Sequence, residues 1–335
     1  MRIAINGFGR VGRVFLRIAR ERGLEVVAVN DLTDAATLAH LLAFDSTYGR
    51  LGVPVSTRGD TLLVDGQEIA VLAEREPEKL PWAEYGVDLV IESTGRFRTR
   101  EQAAGHLTAG ARKVLISAPA KGPVDATIVM GVNQDTYDPA RHDVISNASC
   151  TTNCVAPMVD VLHRHFGLRQ GYMTTIHGYT NDQQLLDSPH KDLRRARSAA
   201  LNIIPTSTGA AKAVGLVIPE LAGRLDGIAV RVPVPTGSLV DLTAVLERPA
   251  TVEEIQAAFA EEASGRLHGV LRVTEAPAVS TDVIADPASC VFDSTLTQAD
   301  GNLVKVYGWY DNEWGYTARL IDLAEYVGAR LPVAA

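Results

Sequence analysis

The chain has 335 residues, of which 46% are hydrophobic and 21% are charged, and its formal net charge is −8. At roughly 150 residues per domain this length predicts two domains, and the negative charge argues against nucleic acid or anionic lipid as a partner. No segment approaches the roughly 18 consecutive apolar residues of a membrane helix, and no apolar leader opens the sequence, so we expect a cytoplasmic protein that binds no nucleic acid and no membrane.

The first half of the chain alternates short apolar runs with amphipathic stretches. This pattern is typical of parallel strands joined by helical crossovers, as in a doubly wound α/β sheet. The predicted strands are Ile3–Asn6, Val26–Asn30, Leu89–Glu92, Val114–Ser117, Ile128–Val132 and Val144–Ser146. Helices are predicted at Val11–Arg20 and around Glu101–Ala109. We assign residues 1–149 to this first domain.

The pattern changes in the second half. A predicted helix at Asn153–Phe166 is followed by long β-type runs with few helices between them, which indicates an α+β domain with an antiparallel or mixed sheet. These runs are Tyr172–His177, Ile228–Val234, Leu239–Leu246, Val291–Thr297 and Leu303–Tyr310. A capping-box spacing precedes a further helix at Ile255–Ala263. We expect a catalytic domain over 150–314, with a C-terminal helix 315–335 that completes the first domain.

Three glycines, Gly7, Gly9 and Gly12, follow the first predicted strand and open the first predicted helix. In this arrangement the first glycine allows a tight turn, the second lets a pyrophosphate approach the backbone, and the third lets the helix pack closely on the sheet. Asp31 ends the second strand, where a carboxylate binds ribose hydroxyls and repels a 2′-phosphate. Such a turn alone also suits an ordinary strand–helix junction, but strand, helix and acid together predict a Rossmann-type dinucleotide-binding domain.

A second candidate site surrounds Cys150, one of three cysteines in the chain. Its thiol lies at or near the start of the helix predicted at Asn153–Phe166, where the dipole and free amides favour a thiolate and can hold an oxyanion or a phosphate. His177 ends a predicted strand and is the candidate proton acceptor. Buried cysteines are usually structural, and we interpret Cys154 in that way. A Cys150–Cys154 metal pair lacks a second pair of ligands, so we predict no metal site.

Six blocks of the sequence resemble the phosphorylating glyceraldehyde-3-phosphate dehydrogenases, in that family's order and over essentially the whole chain. They are Ile5–Gly12, Ser146–Asn153, Tyr179–Gln183, His190–Arg197, Thr208–Lys212 and Trp309–Gly315. The resemblance implies conversion of D-glyceraldehyde 3-phosphate, inorganic phosphate and NAD to 1,3-bisphosphoglycerate and NADH. It makes Cys150 the nucleophile that carries a thioester and His177 the base. It also implies a homotetramer, because in that family the Thr180–Leu201 segment reaches a neighbouring subunit.

The resemblance further assigns two anion subsites and a cofactor site. The substrate phosphate would be bound by Thr180 and Arg231. The attacking phosphate would be bound by Ser149, Thr151, Arg195, Thr208 and Gly209. The cofactor residues would be Asn6, Gly7, Gly9, Arg10, Val11, Gly12, Asp31, Arg75, Ser117, Asn312 and Tyr316. Arginines suit these subsites because a guanidinium group binds phosphate oxygens bidentately.

The cofactor choice depends on two residues that act in opposite directions. Ser188 stands where many NAD-specific members of that family have leucine, and a small polar residue beside the adenosine ribose would tolerate a 2′-phosphate. Asp31 repels the same group by its charge. We therefore predict that NAD is preferred and that NADP is used measurably.

Three alternative interpretations stay open at this point. An erythrose-4-phosphate dehydrogenase would hydrolyse the thioester to an acid, but Thr180 and Asp182 favour the phosphorylating reaction. A hydrolase with a Cys150–His177 dyad would leave the dinucleotide fold vestigial, which disagrees with the intact glycine pattern and Asp31. The third alternative is a dinucleotide-binding protein without catalysis.

Overall fold

The computed structural model describes residues 1–331 as two compact units. The first unit comprises Met1–Ile128, Gln134–Ala148 and the chain from Leu320 onward, and the second comprises Val129–Asn133 and Ser149–Arg319. Residues 332–335 of the predicted C-terminal helix lie outside the described residues. Within residues 1–331 no helix is both long enough and apolar enough to cross a membrane.

The first unit is built on a nine-stranded sheet and carries a separate two-stranded sheet. Its strands are β1 (Arg2–Asn6), β2 (Glu25–Asn30), β3 (Phe44–Asp45), β4 (Gly49–Arg50), β5 (Val55–Thr57), β6 (Thr61–Val64), β7 (Gln67–Leu72), β8 (Leu89–Glu92), β9 (Lys113–Ile116), β10 (Ala126–Thr127) and β11 (Val144–Ser146). Its helices are α1 (Arg10–Glu21), α2 (Ala35–Ala43), α3 (Arg100–Ala103) and α4 (Gly105–Thr108).

The strand order of the large sheet is β10-β11-β9-β8-β1-β2-β7-β6-β5. Pairing is parallel from β10 to β7 and antiparallel for β6 and β5. Every residue of β8 and β9 is buried, as expected for parallel strands covered on both faces. The predicted doubly wound parallel sheet is confirmed. The chain reverses its direction of winding between β2-β1 and β8, and ligands of such sheets bind at the carboxyl ends of the strands beside this switch point.

The turn between β1 and α1 has the conformation that its glycines predict. Gly7 has φ +92°, and a Cβ atom there would lie 2.6 Å from the backbone nitrogen of Thr94. Only glycine fits such a position without strain. Helix α1 then buries Val14, Phe15 and Ile18, whose spacing in the sequence places them on one face of a helix.

The second unit is built on an eight-stranded mixed sheet. Its strands are β12 (Leu168–Gly178), β13 (Ile204–Ser207), β14 (Leu225–Val232), β15 (Ser238–Leu246), β16 (Leu271–Thr274), β17 (Cys290–Asp293), β18 (Gln298–Asp300) and β19 (Leu303–Tyr310). Its helices are α5 (Cys150–Phe166), α6 (Val214–Val217) and α7 (Val252–Ser264), and α8 (Trp314–Gly328) begins in this unit. β12–β14 and β16–β17 are parallel pairs and the others are antiparallel, so the predicted α+β unit with a mixed sheet is confirmed.

Two predicted strands differ from the structure. The prediction at Ile128–Val132 is wrong, because the Asn133 side chain accepts the Val129 N–H at 2.8 Å and Gly131 turns the chain with φ +86°. The run predicted at Val291–Thr297 stops being a strand after Asp293, whose carboxylate accepts the N–H and hydroxyl of the following turn. At the first place Ile128 and Val129 are buried without forming a strand, whereas Leu296 in the second run is exposed.

Candidate active site

Cys150 is the first residue of helix α5, three positions before the predicted start of that helix. Ser149 caps the helix, with its Oγ accepting the N–H of Thr152 at 3.0 Å. Ser149 Oγ also lies 2.7 Å from Thr152 Oγ1. The cap holds Cys150 in the first turn, where backbone amides have no partner inside the helix and the dipole favours an anion. The predicted helix-terminal position of the thiol is confirmed.

The Cys150 thiol and the His177 imidazole lie beside each other, with 3.5 Å between Sγ and Nε2. His177 Nδ1 lies 2.7 Å from the carbonyl oxygen of Gly178. A carbonyl only accepts hydrogen bonds, so this contact favours the tautomer with the proton on Nδ1 and the lone pair of Nε2 facing the thiol. The Arg231 guanidinium, which only donates, also contacts Nδ1 and does not favour that tautomer. With the proton on Nδ1, the imidazole is in the tautomer that a base for the thiol requires.

Arg231 is brought to this pair by strand register, because β12 and β14 run parallel with His177 opposite Arg231. Its Nη1 contacts His177 Nδ1 and donates to the Gly178 carbonyl at 3.2 Å. Burial lowers the pKa of His177 to about 3, and the positive charge of Arg231 adds to this shift. Burial raises the pKa of the Cys150 thiol, and Arg231 opposes that rise. At neutral pH the pair therefore rests as a thiol beside a neutral imidazole.

Tyr310 connects the elements around the thiol, a role that the sequence pattern does not reveal. Its hydroxyl lies 2.8 Å from Thr151 Oγ1 and 2.8 Å from Thr175 Oγ1. Its ring packs edge-on against His177 with centroids 5.9 Å apart. A single buried phenol thus links the first turn of α5, strand β12 and the imidazole. The only sequence signal was its place within the Trp309–Gly315 block.

Arg195 is fixed against the segment that contains Thr208 and Gly209. Its Nε donates to Thr206 Oγ1 at 2.9 Å, its Nη2 donates to the Ser207 carbonyl at 3.1 Å, and its Nη1 pairs with Asp182. Arg195 therefore lies against the end of β13, which leads directly into Thr208 and Gly209, two other members of the predicted attacking-phosphate set. Thr208 Oγ1 accepts the Ala210 N–H at 3.2 Å, and Gly209 is exposed with open space where a side chain would be.

Thr180, predicted to bind the substrate phosphate, lies just beyond the end of β12. Its backbone N–H donates to Gln183 Oε1 at 3.2 Å, and its side chain is partly exposed. Its predicted partner Arg231 has a buried Nε with no hydrogen-bond partner among residues 1–331. That N–H is free to bind an anion.

The first unit has a cavity of about 730 Å³ at the carboxyl ends of β1, β2 and β8. Five of the predicted cofactor residues line it, namely Asn6, Gly7, Gly9, Asp31 and Arg75. Other lining residues were not predicted as cofactor contacts: Asn30, Leu32, Glu74, Ser93, Thr94, Gly95, Arg96, Phe97, Gln102 and Lys121. Asn30 ends β2, Gln102 lies in α3 and the others lie in loops that follow strands, so only the fold places them together.

The other predicted cofactor residues are not in the lining of this cavity. Arg10 pairs with Asp45, and Gly12 is a buried residue of α1. Val11 lies in the first turn of that helix, and Ser117 donates its N–H to the Glu92 carbonyl at 2.9 Å. Asn312 and Tyr316 belong to the second unit and are buried there. The Oδ1 of Asn312 accepts hydroxyls from Ser238 at 2.7 Å and Thr236 at 3.2 Å.

The cavity has the features that a dinucleotide needs. Asp31 is held by the N–H groups of Phe8 at 2.9 Å and Thr33 at 3.1 Å, which fix its carboxylate at the end of β2. A Cβ atom at Gly9 would have no atom within 4 Å, so the backbone there faces open space. These residues fit a ribose and a pyrophosphate.

We expect Gly9→Ala to weaken NAD binding without changing the stability of the fold. Gly9 has φ −74° and space for a methyl group, so the melting temperature of the free protein stays within about 2 °C of wild type. The methyl group occupies the surface that a pyrophosphate approaches, so the dissociation constant for NAD rises at least about tenfold. Calorimetric titration and thermal unfolding measure both quantities. A variant that melts normally and binds NAD as tightly as wild type would contradict the assignment of Gly9.

Two family models match the chain. The description of the first is glyceraldehyde 3-phosphate dehydrogenase, NAD binding domain, over residues 1–100, and that of the second is the C-terminal domain of the same enzyme, over residues 149–312. A glyceraldehyde-3-phosphate dehydrogenase of Streptomyces coelicolor is 61% identical over 335 residues, with 99% of each chain covered. One of Geobacillus stearothermophilus is 60% identical over 332 residues, with 98% of this chain and 99% of the relative covered. The chain belongs to the glyceraldehyde-3-phosphate dehydrogenase family.

Proposed function

We propose that this protein oxidises D-glyceraldehyde 3-phosphate to 1,3-bisphosphoglycerate, with NAD as hydride acceptor and inorganic phosphate as co-substrate. The observation that carries this proposal is the pairing of Cys150 Sγ with His177 Nε2 at 3.5 Å, at a helix N-terminus of a chain of this family. The erythrose-4-phosphate alternative is not favoured, because the two relatives described above are both glyceraldehyde-3-phosphate dehydrogenases.

The first step needs the thiol and the imidazole together. His177 Nε2 takes the thiol proton as Cys150 Sγ attacks the aldehyde carbon, and the new C–S bond gives a hemithioacetal. The amides in the first turn of α5 stabilise the oxyanion formed in this step. The neutral resting state of His177 leaves it free to accept that proton.

His177 returns its proton to the oxyanion, which completes the hemithioacetal and leaves the imidazole neutral again. In the second step His177 takes the proton of the hemithioacetal hydroxyl, and a hydride leaves the same carbon. Bound NAD supplies the hydride acceptor. The carbon then remains on Cys150 as a thioester. In the last step a phosphate oxygen attacks the thioester carbon, the C–S bond breaks, and the acyl phosphate leaves Cys150 as a thiolate, which takes back the proton held by His177.

We assign one anion subsite to the phosphate group of the substrate and the other to the inorganic phosphate that attacks the thioester. Thr180 and Arg231 bind the substrate phosphate, and the unpartnered Nε of Arg231 supports that assignment. The attacking phosphate is assigned to Ser149, Thr151, Arg195, Thr208 and Gly209. The fixed guanidinium of Arg195 beside the 206–209 segment supports this second subsite.

The domain and cofactor assignments follow from the same proposal. Residues 1–149, with the C-terminal helix, bind NAD, and residues 150–314 carry the chemistry. The cavity residues Asn6, Gly7, Gly9, Asp31 and Arg75 hold the dinucleotide. We also assign to it the remaining predicted residues Arg10, Val11, Gly12, Ser117, Asn312 and Tyr316.

We further propose a homotetramer in the cytoplasm. The Thr180–Leu201 segment exposes Leu185, Leu186, Leu193 and Leu201, each more than 70% exposed. A cluster of apolar side chains on a surface segment is typical of a subunit interface. The three cysteines are free, in agreement with a reducing compartment. Sedimentation analysis measures the number of subunits.

The test of this function follows cofactor reduction with glyceraldehyde 3-phosphate, with and without phosphate, and with NAD and NADP in parallel. We expect sustained turnover only with phosphate, a higher kcat/KM with NAD, and measurable NADP use. Ser188→Leu is the matched variant, because Ser188 is exposed and its N–H, bonded to the Ala196 carbonyl at 2.9 Å, is unchanged. It should lower NADP use and leave NAD use intact. Equal turnover without phosphate would instead indicate thioester hydrolysis.

A further inference from the structure

A chain of buried hydrogen bonds crosses the carboxyl edge of the first sheet. Asn6, Asn30 and Glu92 end the neighbouring parallel strands β1, β2 and β8, and all three are buried. Asn30 Nδ2 donates to Asn6 Oδ1 at 2.7 Å, and Asn6 Nδ2 donates to Glu92 Oε2 at 2.6 Å. The three strand ends are therefore joined by side chains as well as by the sheet.

The same side chains hold two loops that line the cavity of the first unit. Asn30 Oδ1 accepts the Glu74 N–H at 2.8 Å, and Asn30 Nδ2 donates to the Glu74 carbonyl at 2.8 Å. Glu92 Oε1 accepts the Thr94 N–H at 2.8 Å and also the Thr94 hydroxyl. Glu74 and Thr94 both face the cavity. The network thus fixes loops on both sides of the β1 turn.

A histidine and a tryptophan, His106 and Trp82, orient the Glu92 carboxylate. The indole Nε1 of Trp82 lies 3.0 Å from His106 Nδ1, and an indole N–H only donates. His106 Nδ1 is therefore unprotonated, and the ring proton lies on Nε2, 3.1 Å from Glu92 Oε2. Both rings are fully buried. One tautomer of His106 is selected, and its donor faces the carboxylate.

Glu92 is the centre of the network because its two oxygens receive four donors. These are the Thr94 N–H, the Thr94 hydroxyl, the Asn6 amide and the His106 Nε2–H. An ionised carboxylate only accepts, and it has about four lone-pair sites, so every donor is satisfied. None of these contacts builds the sheet, whose backbone pairing is complete without them. They fix the loops that surround the cavity.

We propose that Glu92, oriented by His106 and Trp82, is a positioning residue for the dinucleotide. It holds the Thr94 loop and the Asn6 end of β1 in the binding geometry before the cofactor arrives, so that binding does not have to order them. The inference rests on the proposed function, in which NAD occupies this cavity.

Glu92→Gln tests the proposal with little change in shape. A glutamine side chain has only one oxygen and brings an NH2 group, so it meets at least one of the donors of Asn6, His106 and Thr94 with a donor of its own. His106 cannot adapt by changing tautomer, because Trp82 occupies its Nδ1. We expect the calorimetric dissociation constant for NAD to rise at least tenfold, about 1.4 kcal/mol. At saturating NAD, kcat and the KM for glyceraldehyde 3-phosphate should stay within about twofold of wild type.

Lys113→Met is the matched control in the same sheet. Lys113 is buried at the opposite end of β9, where its Nζ binds Asp143 Oδ1 at 2.7 Å and two carbonyls, away from the cavity lining. This variant should lower the melting temperature and leave the NAD dissociation constant unchanged. The comparison separates loss of stability from loss of positioning.

Trp82→Phe provides a second measurement if Glu92→Gln does not fold. It removes the indole donor, so the ¹⁵N spectrum of His106 should change from the pure Nε2–H tautomer of wild type to a mixture, with weaker NAD binding. NAD affinity that is unchanged in Glu92→Gln overturns the proposal. If only Trp82→Phe folds, unchanged NAD affinity in that variant overturns it. A wild-type His106 that carries its proton on Nδ1 also overturns it. Wild type that binds no NAD would instead contradict the proposed function itself.

Discussion

Replacing Cys150 with serine should lower kcat/KM for glyceraldehyde 3-phosphate by at least about 10³-fold, with NAD affinity within about twofold of wild type. A serine hydroxyl keeps the size of the thiol but ionises far less readily, and the neutral His177 is too weak a base to compensate. A serine ester is also a poorer acyl donor to phosphate than a thioester. Stopped-flow measurement of NADH formation, with calorimetry for NAD, tests both parts of this expectation.

Cys154→Ser is the matched control for this variant. Cys154 lies one helical turn after Cys150 and is fully buried, with its Sγ 3.6 Å from the Gly308 carbonyl. A hydroxyl suits that carbonyl, so the variant should remain active and lose about 1–2 kcal/mol of stability at most. Serine at 150 with wild-type turnover would refute the covalent mechanism, and inactivity of both variants would show that helix α5 tolerates no change at either position.

Local sequence patterns predicted the elements whose residues act over short distances. The glycines of the β1–α1 turn, the apolar face of α1 and the cap before α7 each involve residues a few positions apart. Helix α2, which was not predicted, also has a local signal. Asp34 caps it by accepting the Thr37 N–H at 2.9 Å, and Ala35, Leu38, Ala39 and Leu42 form its buried face. Such a helix is within reach of pattern analysis.

Contacts between distant segments could not be predicted in the same way. The register that puts Arg231 opposite His177, and the burial that places the Tyr310 hydroxyl between two threonines, depend on the whole second sheet. The Glu92–His106 pair likewise joins residues whose types alone suggest no contact. The resemblance supplied Arg231 and His177 as site residues, but the lowering of the His177 pKa by the positive charge of Arg231 follows only from the folded geometry.

His177→Asn should lower kcat by about 10²–10⁴-fold, the usual contribution of a general base. An asparagine amide can still donate to the Gly178 carbonyl, which His177 Nδ1 contacts at 2.7 Å, but it offers no lone pair at the position of Nε2. The remaining turnover then depends on thiolate that forms without help. Because burial raises the pKa of Cys150, this residual activity should rise as the pH is raised above neutrality.

The same substitution should also change how the free energy of unfolding depends on pH. The fold lowers the pKa of His177 from 6.5 to about 3, so below pH 6.5 the unfolded chain takes up a proton that the folded protein excludes. Wild type therefore loses stability as the pH falls from 6.5 toward 3, by up to about 1.4 kcal/mol per pH unit from this residue. Asparagine does not titrate, so between pH 7.5 and pH 5 His177→Asn should lose about 2 kcal/mol less than wild type. Urea unfolding at both pH values and one protein concentration measures this difference; equal losses in the two proteins would show that His177 is not buried as a neutral base.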